Sequence, residues 1–225
     1  MRITPGFIRS ANGSCLMEMG RTRVVCTASF VAGVPKWRGG TGLGWLAAEY
    51  GMLPASTGAR RERRGADGRS VEIQRIIGRV LRNVVRFDRL GENTIYLDCD
   101  VLEADGGTRT AAITGAYVAL AQAVAKAEAC GACRHGAIRG AVAAVSVGIV
   151  DGRLLLDLDY AEDSSAEVDM NVAMTSAGRF AEVQGSSERS GFGQAQLQRL
   201  LNMARRGIRE LMVLQRRAIE KGMQR

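Results

Sequence analysis

The chain has 225 residues, 46% of them hydrophobic and 24% charged, with a formal net charge of +8. These proportions sit near the globular average and away from the disordered class, and a chain this long buries a core that needs no staples. No apolar run reaches the ~20 residues of a membrane-spanning helix, and the N-terminus MRITPGFIRSANGS has no apolar signal-peptide core, so the expectation is a cytoplasmic protein with no membrane partner.

Residues 15–32 read as a hairpin: Leu16, Met17 and Met19, a turn at Gly20-Arg21, then Val24, Val25, Cys26 and Ala28. Residues 33–69 read as irregular, rich in Gly and Arg, with Arg60, Arg61, Arg63 and Arg64 in one run. From Val71 to about Phe87 the pattern is helical. Arg75, Arg79, Arg82 and Arg86 share one face, and Ile73, Ile76, Ile77, Val80, Leu81 and Val84 cover the other. That basic face is either solvated or a contact for RNA or another subunit. Thr94–Leu102 alternates with period two and is a strand, broken by Gly106 and Gly107; Thr110 to about Ala129 is an alanine-rich helix. Ile138–Leu158 reads as a hairpin turning at Asp151-Gly152. Glu167–Thr175 and Arg179–Gln184 make another, turning at Ser176-Ala177-Gly178, and Gln194 to about Glu220 closes the chain as an amphipathic helix. Both halves end in a helix able to cover a sheet, and no linker divides them. The expected fold is α+β, a single compact domain over 1–225 with mixed, mostly antiparallel sheet, covering helices and a loose internal duplication.

Five cysteines at irregular spacing do not form a disulfide framework. Cys15, Cys26 and Cys99 fall inside apolar strands, and Cys130-x-x-Cys133, followed by the lone His135, reads as a solvent-facing connection after a helix rather than a metal site, since no second ligand pair exists. The charge is more telling. Only three cations are Lys, which leaves 28 of the 31 as Arg. Arginine's planar fork matches phosphate oxygens, so a polyanionic partner such as nucleic acid is expected. A high-GC genome, which favours arginine codons, would give the same composition.

Two segments carry chemistry. In Asp105–Thr110 (DGGTRT), two glycines free the backbone between a strand and a helix, Thr108 adds a hydroxyl and Arg109 a charged fork. Helix-start amides with a built-in cation make a phosphate cradle, although glycine turns at this place also serve purely steric ends. Asp157–Met170 holds six acidic residues: Asp157, Asp159, Glu162, Asp163, Glu167 and Asp169. Packed carboxylates repel unless a cation sits between them, and hard oxygens suit Mg²⁺ or Mn²⁺; the alternative is an acidic surface turn. Cradle, carboxylates and arginine loop together are the parts of phosphoryl transfer on a nucleic acid.

In order along the chain, GMLPAST (51–57), GRSVEIQRIIGRVLR (68–82), LDCDVLEADGGTRTAAITGA (97–116), AAVSVGIV (143–150) and DYAEDSSAEVDMNVAMT (159–175) closely resemble the ribonuclease PH family. The resemblance runs from about Thr4 to the last helix. It implies a phosphorolytic 3′-to-5′ exoribonuclease that trims the 3′ ends of transfer RNA precursors, related to polynucleotide phosphorylase and the exosome ring subunits. It implies that Arg69 binds phosphate, with Gly107, Thr108 and Arg109 as the phosphate loop. It further implies that Asp163 and Asp169 hold a divalent ion (Mg²⁺ or Mn²⁺), and that Arg60, Arg61, Arg63 and Arg64 approach the RNA. Catalysis would rest on Asp163, Asp169 and Arg109, with inorganic phosphate as co-substrate and a homo-hexamer, a trimer of dimers, as the assembly. Family members carry a further basic segment before the first strand, whereas Met1 here begins close to it; that difference bears on RNA affinity and ring assembly. The competing expectations are a catalytically silent RNA-binding ring subunit of an exosome-like assembly, and a metal-dependent hydrolase releasing monophosphates.

Overall fold

The computed structural model describes residues 1–62, 67–187 and 191–223. In chain order these form β1 (Arg2–Pro5), β2 (Gly13–Met19), β3 (Thr22–Ala32), β4 (Trp45–Met52), α1 (Gly68–Arg82), α2 (Phe87–Leu90), β5 (Asn93–Glu103) and α3 (Thr108–Ala129). Then follow β6 (Val142–Val150), β7 (Arg153–Leu156), α4 (Tyr160–Ser165), β8 (Val168–Thr175), β9 (Phe180–Ser187) and α5 (Gln194–Met223). The strands divide into two sheets, ordered β1-β2-β3-β5-β4 and β7-β6-β8-β9.

The mixed, mostly antiparallel α+β fold expected from the pattern is present. The β2–β3 hairpin turns at Gly20, which takes a φ of +55°. The β6–β7 hairpin turns at Asp151 and Gly152 with φ of +48° and +70°, the two left-handed positions that suit a tight hairpin and favour Asp-Gly. Each half opens with a hairpin and closes with a long helix, which is the loose duplication seen in the sequence. The halves differ in that β4 joins β5 in parallel, whereas every pairing in the second sheet is antiparallel.

Several elements depart from the sequence reading. The segment expected to be irregular contains β4, whose Leu46, Ala48 and Tyr50 point into the core. The acidic segment after β7 folds as the short helix α4, started by Asp159 and Glu162 in a reciprocal capping box. α1 begins at Gly68 and ends at Arg82 rather than near Phe87, so Arg86 falls outside its basic face.

α3 organises the core. It is apolar on all sides and packs against β2, β3 and β5 of one sheet, β6 of the other, and α1 and α5, as an all-round apolar helix must. Small residues permit the approach. Gly115 lies over Cys15, Met17 and Cys26, and a Cβ built there would stand 2.7 Å from Cys26 Sγ and 3.0 Å from Met17 Cβ. Thr114 Oγ1 donates to Ala144 O at 3.2 Å and accepts from Ala144 N at 3.1 Å, and Gln215 Nε2 on α5 donates to Thr114 O and Val142 O. These bonds tie the helix to β6 through the buried Thr114 hydroxyl and Gln215 amide NH₂. Gly115→Ala is expected to destabilise the protein by about 1–3 kcal/mol, because overpacking exceeds the gain of up to about 1 kcal/mol from alanine's helix propensity. Urea denaturation checks this, and adding Cys26→Ala, which removes the nearest sulfur, is expected to return part of the loss.

The three strand cysteines are fully buried, in neighbouring register across β2, β3 and β5. Cys130 caps the end of α3, and Cys133 lies in the turn after it with its thiol raised to about 11, chiefly by burial.

Candidate active site

The site forms where the N-termini of α1 and α3, the short α4 and strand β8 meet. The stretch Asp105–Gly107 links β5 to α3. Gly106 has a φ of +75°, and a Cβ there would lie 2.4 Å from Leu158 O, so only glycine lets the loop pass this close to the chain entering α4. Thr22 braces the turn from the neighbouring hairpin: its Oγ1 donates to Gly106 O at 2.6 Å and accepts from Asp105 N at 2.8 Å. Arg21 pairs with Asp105 at 2.9 Å and holds that carboxyl below its usual range.

α3 then starts at Thr108 with no side chain capping its first turn. Its leading amides are therefore open to an anion, and the helix dipole favours one there. Beneath the turn, the buried Tyr50 of β4 donates its hydroxyl to Thr108 Oγ1 at 2.9 Å. Burial pushes the Tyr50 phenol up, so it stays neutral as a donor.

Arg69 stands one residue into α1, which Asp67 caps by accepting from Ser70 N at 2.7 Å. That bond, with the Arg61 guanidinium beside it, lowers the Asp67 pKa. Asp67→Ala is expected to cost about 1 kcal/mol, the usual worth of a cap. Because the folded-state pKa is depressed, this contribution is fully present above the unfolded pKa and is lost as pH falls through the folded value. The gap in urea midpoint between parent and variant should therefore close as the pH is lowered through the acid range.

Opposite the arginines stand the carboxylates of Asp163 on α4 and Asp169 on β8. A cleft of about 200 Å³ is lined by Arg61, Arg69, Gly107, Thr108, Arg109, Asp163 and Asp169 together with Met52, Thr57, Ser146, Tyr160 and Asn171. Desolvation and then the Asp169 charge raise the Asp163 pKa, while Arg109 and Arg69 pull it down. Asp169 Oδ1 accepts from Ser186 Oγ at 2.6 Å, and Arg109 Nη1 donates to Gln184 Oε1 at 2.7 Å. Among the described residues no group of three or more His, Cys, Asp and Glu side chains converges to hold a metal. An ion between Asp163 and Asp169 would thus have two protein carboxylates and take its remaining ligands from water and substrate, the pattern Mg²⁺ favours.

The structure thus brings together Arg69, Gly107, Thr108, Arg109, Asp163 and Asp169, and Arg61 of the basic run. Arg60 is exposed and does not line the cleft; Arg63 and Arg64 lie outside the described residues. Sequence reasoning missed Tyr50, Thr57, Ser146, Asn171, Gln184 and Ser186, which are ordinary polar strand or loop residues without a motif of their own. A larger cavity of about 610 Å³ lies between α3 and α5, but its walls are mostly apolar and it gathers none of these groups.

Two family models match the chain: the 3′ exoribonuclease family, domain 1, over residues 1–126, and domain 2 of the same family over residues 140–207. The chain belongs to the ribonuclease PH family. Ribonuclease PH from Mycobacterium sp. (strain KMS) and from strain JLS are each 54% identical to it, across 98% of this chain and 86% of the relative. Solved structures share the ribonuclease PH fold at lower identity. The Archaeoglobus fulgidus exosome with RNA bound to the active site matches with a TM-score of 0.81 at 22% identity, over 94% of this chain and 86% of that one. Rice (Oryza sativa) Rrp46 matches with 0.77 at 14%, over 96% and 93%, and an archaeal exosome core with 0.75 at 21%, over 93% and 83%.

Proposed function

We propose that the chain is a phosphorolytic 3′-to-5′ exoribonuclease that trims the 3′ ends of transfer RNA precursors with inorganic phosphate and releases nucleoside diphosphates. The observation that carries this reading is the cleft in which an open helix N-terminus and three arginines face two carboxylates, in a chain 54% identical to ribonuclease PH along nearly its whole length.

Arg69, Arg109 and the first amides of α3 hold phosphate and orient one of its oxygens toward the terminal internucleotide phosphorus. The same guanidinium groups neutralise the charge that builds on the phosphoryl group as the new P–O bond forms and the bond to the leaving 3′ oxygen breaks. Asp169, beside that position, is the candidate donor of the proton the 3′ oxygen takes up. Asp163, joined by Asp169 when that carboxyl is ionised, would hold Mg²⁺ or Mn²⁺, which would supply further charge neutralisation at the transferred phosphoryl group. A phosphoester is exchanged for a phosphoanhydride, so the reaction runs readily in both directions.

Arg60, Arg61, Arg63 and Arg64 draw the RNA strand to the cleft by charge. The two halves work as one unit over 1–225, since α3 packs on both sheets. The assembly is a homo-hexamer, a trimer of dimers, acting in the cytoplasm; no helix of the described residues is long and apolar enough to cross a membrane.

The test is a product assay on a short RNA with a free 3′ end. With Mg²⁺ and inorganic phosphate the expected products are nucleoside diphosphates; without phosphate the RNA should survive, and chelation of the divalent ion should stop turnover. Monophosphates without added phosphate would establish a hydrolase instead, and intact RNA under all conditions a silent ring subunit.

A further inference from the structure

The edge strand β9 holds the cleft's charged groups in place without lining the cleft itself. Glu182, Gln184 and Ser186 alternate onto one face of it; the first anchors the strand to α1, and the other two reach charged groups of the cleft. Glu182 takes both ends of the Arg79 guanidinium of α1, at 2.8 and 3.0 Å. Gln184 Oε1 accepts from Arg109 Nη1 at 2.7 Å, and its Nε2 donates to Glu72 Oε1 of α1 at 3.0 Å. Ser186 Oγ donates to Asp169 Oδ1 at 2.6 Å. Neither Gln184 nor Ser186 is part of the cleft wall.

We infer that Gln184, oriented by Glu72, is a positioning residue that aims Arg109 at the phosphate, and that Ser186 does the same for Asp169. The inference rests on the phosphate-binding reading of Arg109 given above. Its chemistry follows from the groups. A guanidinium only donates and an ionised carboxylate only accepts, so an amide between them has one satisfied orientation, oxygen to Arg109 and NH₂ to Glu72. Arg109 spends one N–H on Gln184 and keeps the others for phosphate oxygens. A long side chain ordered in advance loses less freedom when its ligand arrives. Ser186 likewise occupies one oxygen of Asp169 and leaves the other for the ion or the leaving group. Because the two contacts lie two residues apart on one strand, the register of β9 sets the spacing between the phosphate arginine and the carboxylate.

Steady-state kinetics with phosphate, RNA and Mg²⁺ varied separately test this, on Gln184→Ala, Glu72→Gln and Ser186→Ala, with Arg109→Ala as the reference. Gln184→Ala is expected to raise KM for phosphate about tenfold, the loss of one charge-assisted hydrogen bond, and Glu72→Gln about threefold, with KM for RNA unchanged in both. Ser186→Ala should raise the Mg²⁺ concentration giving half-maximal rate and leave KM for phosphate alone. Glu72 is exposed on α1, so its variant reports even where Gln184→Ala disturbs the strand. If Arg109→Ala raises KM for phosphate while Gln184→Ala and Glu72→Gln leave it within about twofold of the parent, the positioning role is overturned and the site reading stands. If Arg109→Ala itself leaves it unchanged, both fall. Equal losses toward phosphate and RNA, with a lowered melting temperature, would mark β9 as structural only and also overturn the inference.

Discussion

Arg109→Ala is expected to lower kcat/KM for phosphorolysis by about a hundred- to a thousandfold, the usual consequence of removing a donor aimed at developing charge. The fold should survive. Arg109 is partly exposed at the first turn of α3, and among the described residues its one hydrogen bond to another side chain is that to Gln184, so the stability change should stay within about 1 kcal/mol. The loss has two parts. Phosphate binding weakens, because Arg69 and the α3 amides must hold the anion alone. The chemical step slows, because the charge on the transferred phosphoryl group meets one cation fewer. Arg109→Lys separates the two: it keeps the charge and loses the fork, so it should recover part of kcat while KM for phosphate stays high. Asp169→Asn should reduce turnover comparably, but with the defect in dependence on Mg²⁺ rather than on phosphate. Phosphate titrations monitored by nucleoside diphosphate release distinguish the two patterns. An Arg109→Ala protein with full activity would remove this residue from the site.

Local chemistry made much of this fold readable from sequence. Asp151-Gly152 fixes a hairpin because both positions need positive φ. The alanine-rich apolar pattern from Thr110 to about Ala129 marks a buried helix. β4 was not readable in the same way. Its inward residues Leu46, Ala48 and Tyr50 alternate with Ala47 and Glu49 between glycine-rich flanks, and what makes it a strand is parallel pairing with β5, beyond a helix in the chain. Propensity cannot report a partner that distant. α4 did carry a local signal, Asp159 and Glu162 at capping-box spacing, but the same carboxylates also read as an acidic turn.

The site divides along similar lines. Gly107, Thr108 and Arg109 were legible because a glycine pair before a helix has a physical use, and the acidic segment 157–170 because carboxylates crowd there against the net charge of the chain; Asp163 and Asp169 were singled out within it only by family resemblance. Arg69 was reached through family resemblance and not through any pattern of its own. Gln184, Ser186 and Tyr50 were invisible, since each matters only through a contact made across the fold: Arg109, Asp169 and Thr108 respectively. Residues that support a site from behind have no spacing rule to betray them.

Gly106→Ala should be severely disruptive for a single added methyl, and it should act on both sides of the cleft at once. The residue carries a φ of +75°, and its new Cβ would lie 2.4 Å from Leu158 O, 2.7 Å from Asp159 C and 3.0 Å from Asp159 Cα. These are backbone atoms, which cannot rotate away as a side chain would. Left-handed strain plus overpacking amounts to roughly 2–6 kcal/mol, a large share of the ~5–15 kcal/mol that holds a typical domain folded. The alternative to unfolding is a shift of the Leu158–Asp159 backbone, and Asp159 is the cap of α4, the helix that carries Asp163. Relief of the clash therefore separates the phosphate turn from the carboxylate, and turnover should be lost even where the chain stays folded. Gly107→Ala is the control. It also has positive φ, at +56°, but its nearest neighbours are Thr110 Oγ1 at 3.4 Å and Asp157 Oδ1 at 3.6 Å, so only the conformational cost of about 1–2 kcal/mol applies. Urea denaturation and phosphate-dependent nucleoside diphosphate release, measured on both variants, should rank Gly106→Ala well below Gly107→Ala. Equal losses would mean that φ alone governs the turn and that its close contact with the Leu158–Asp159 backbone has no energetic weight.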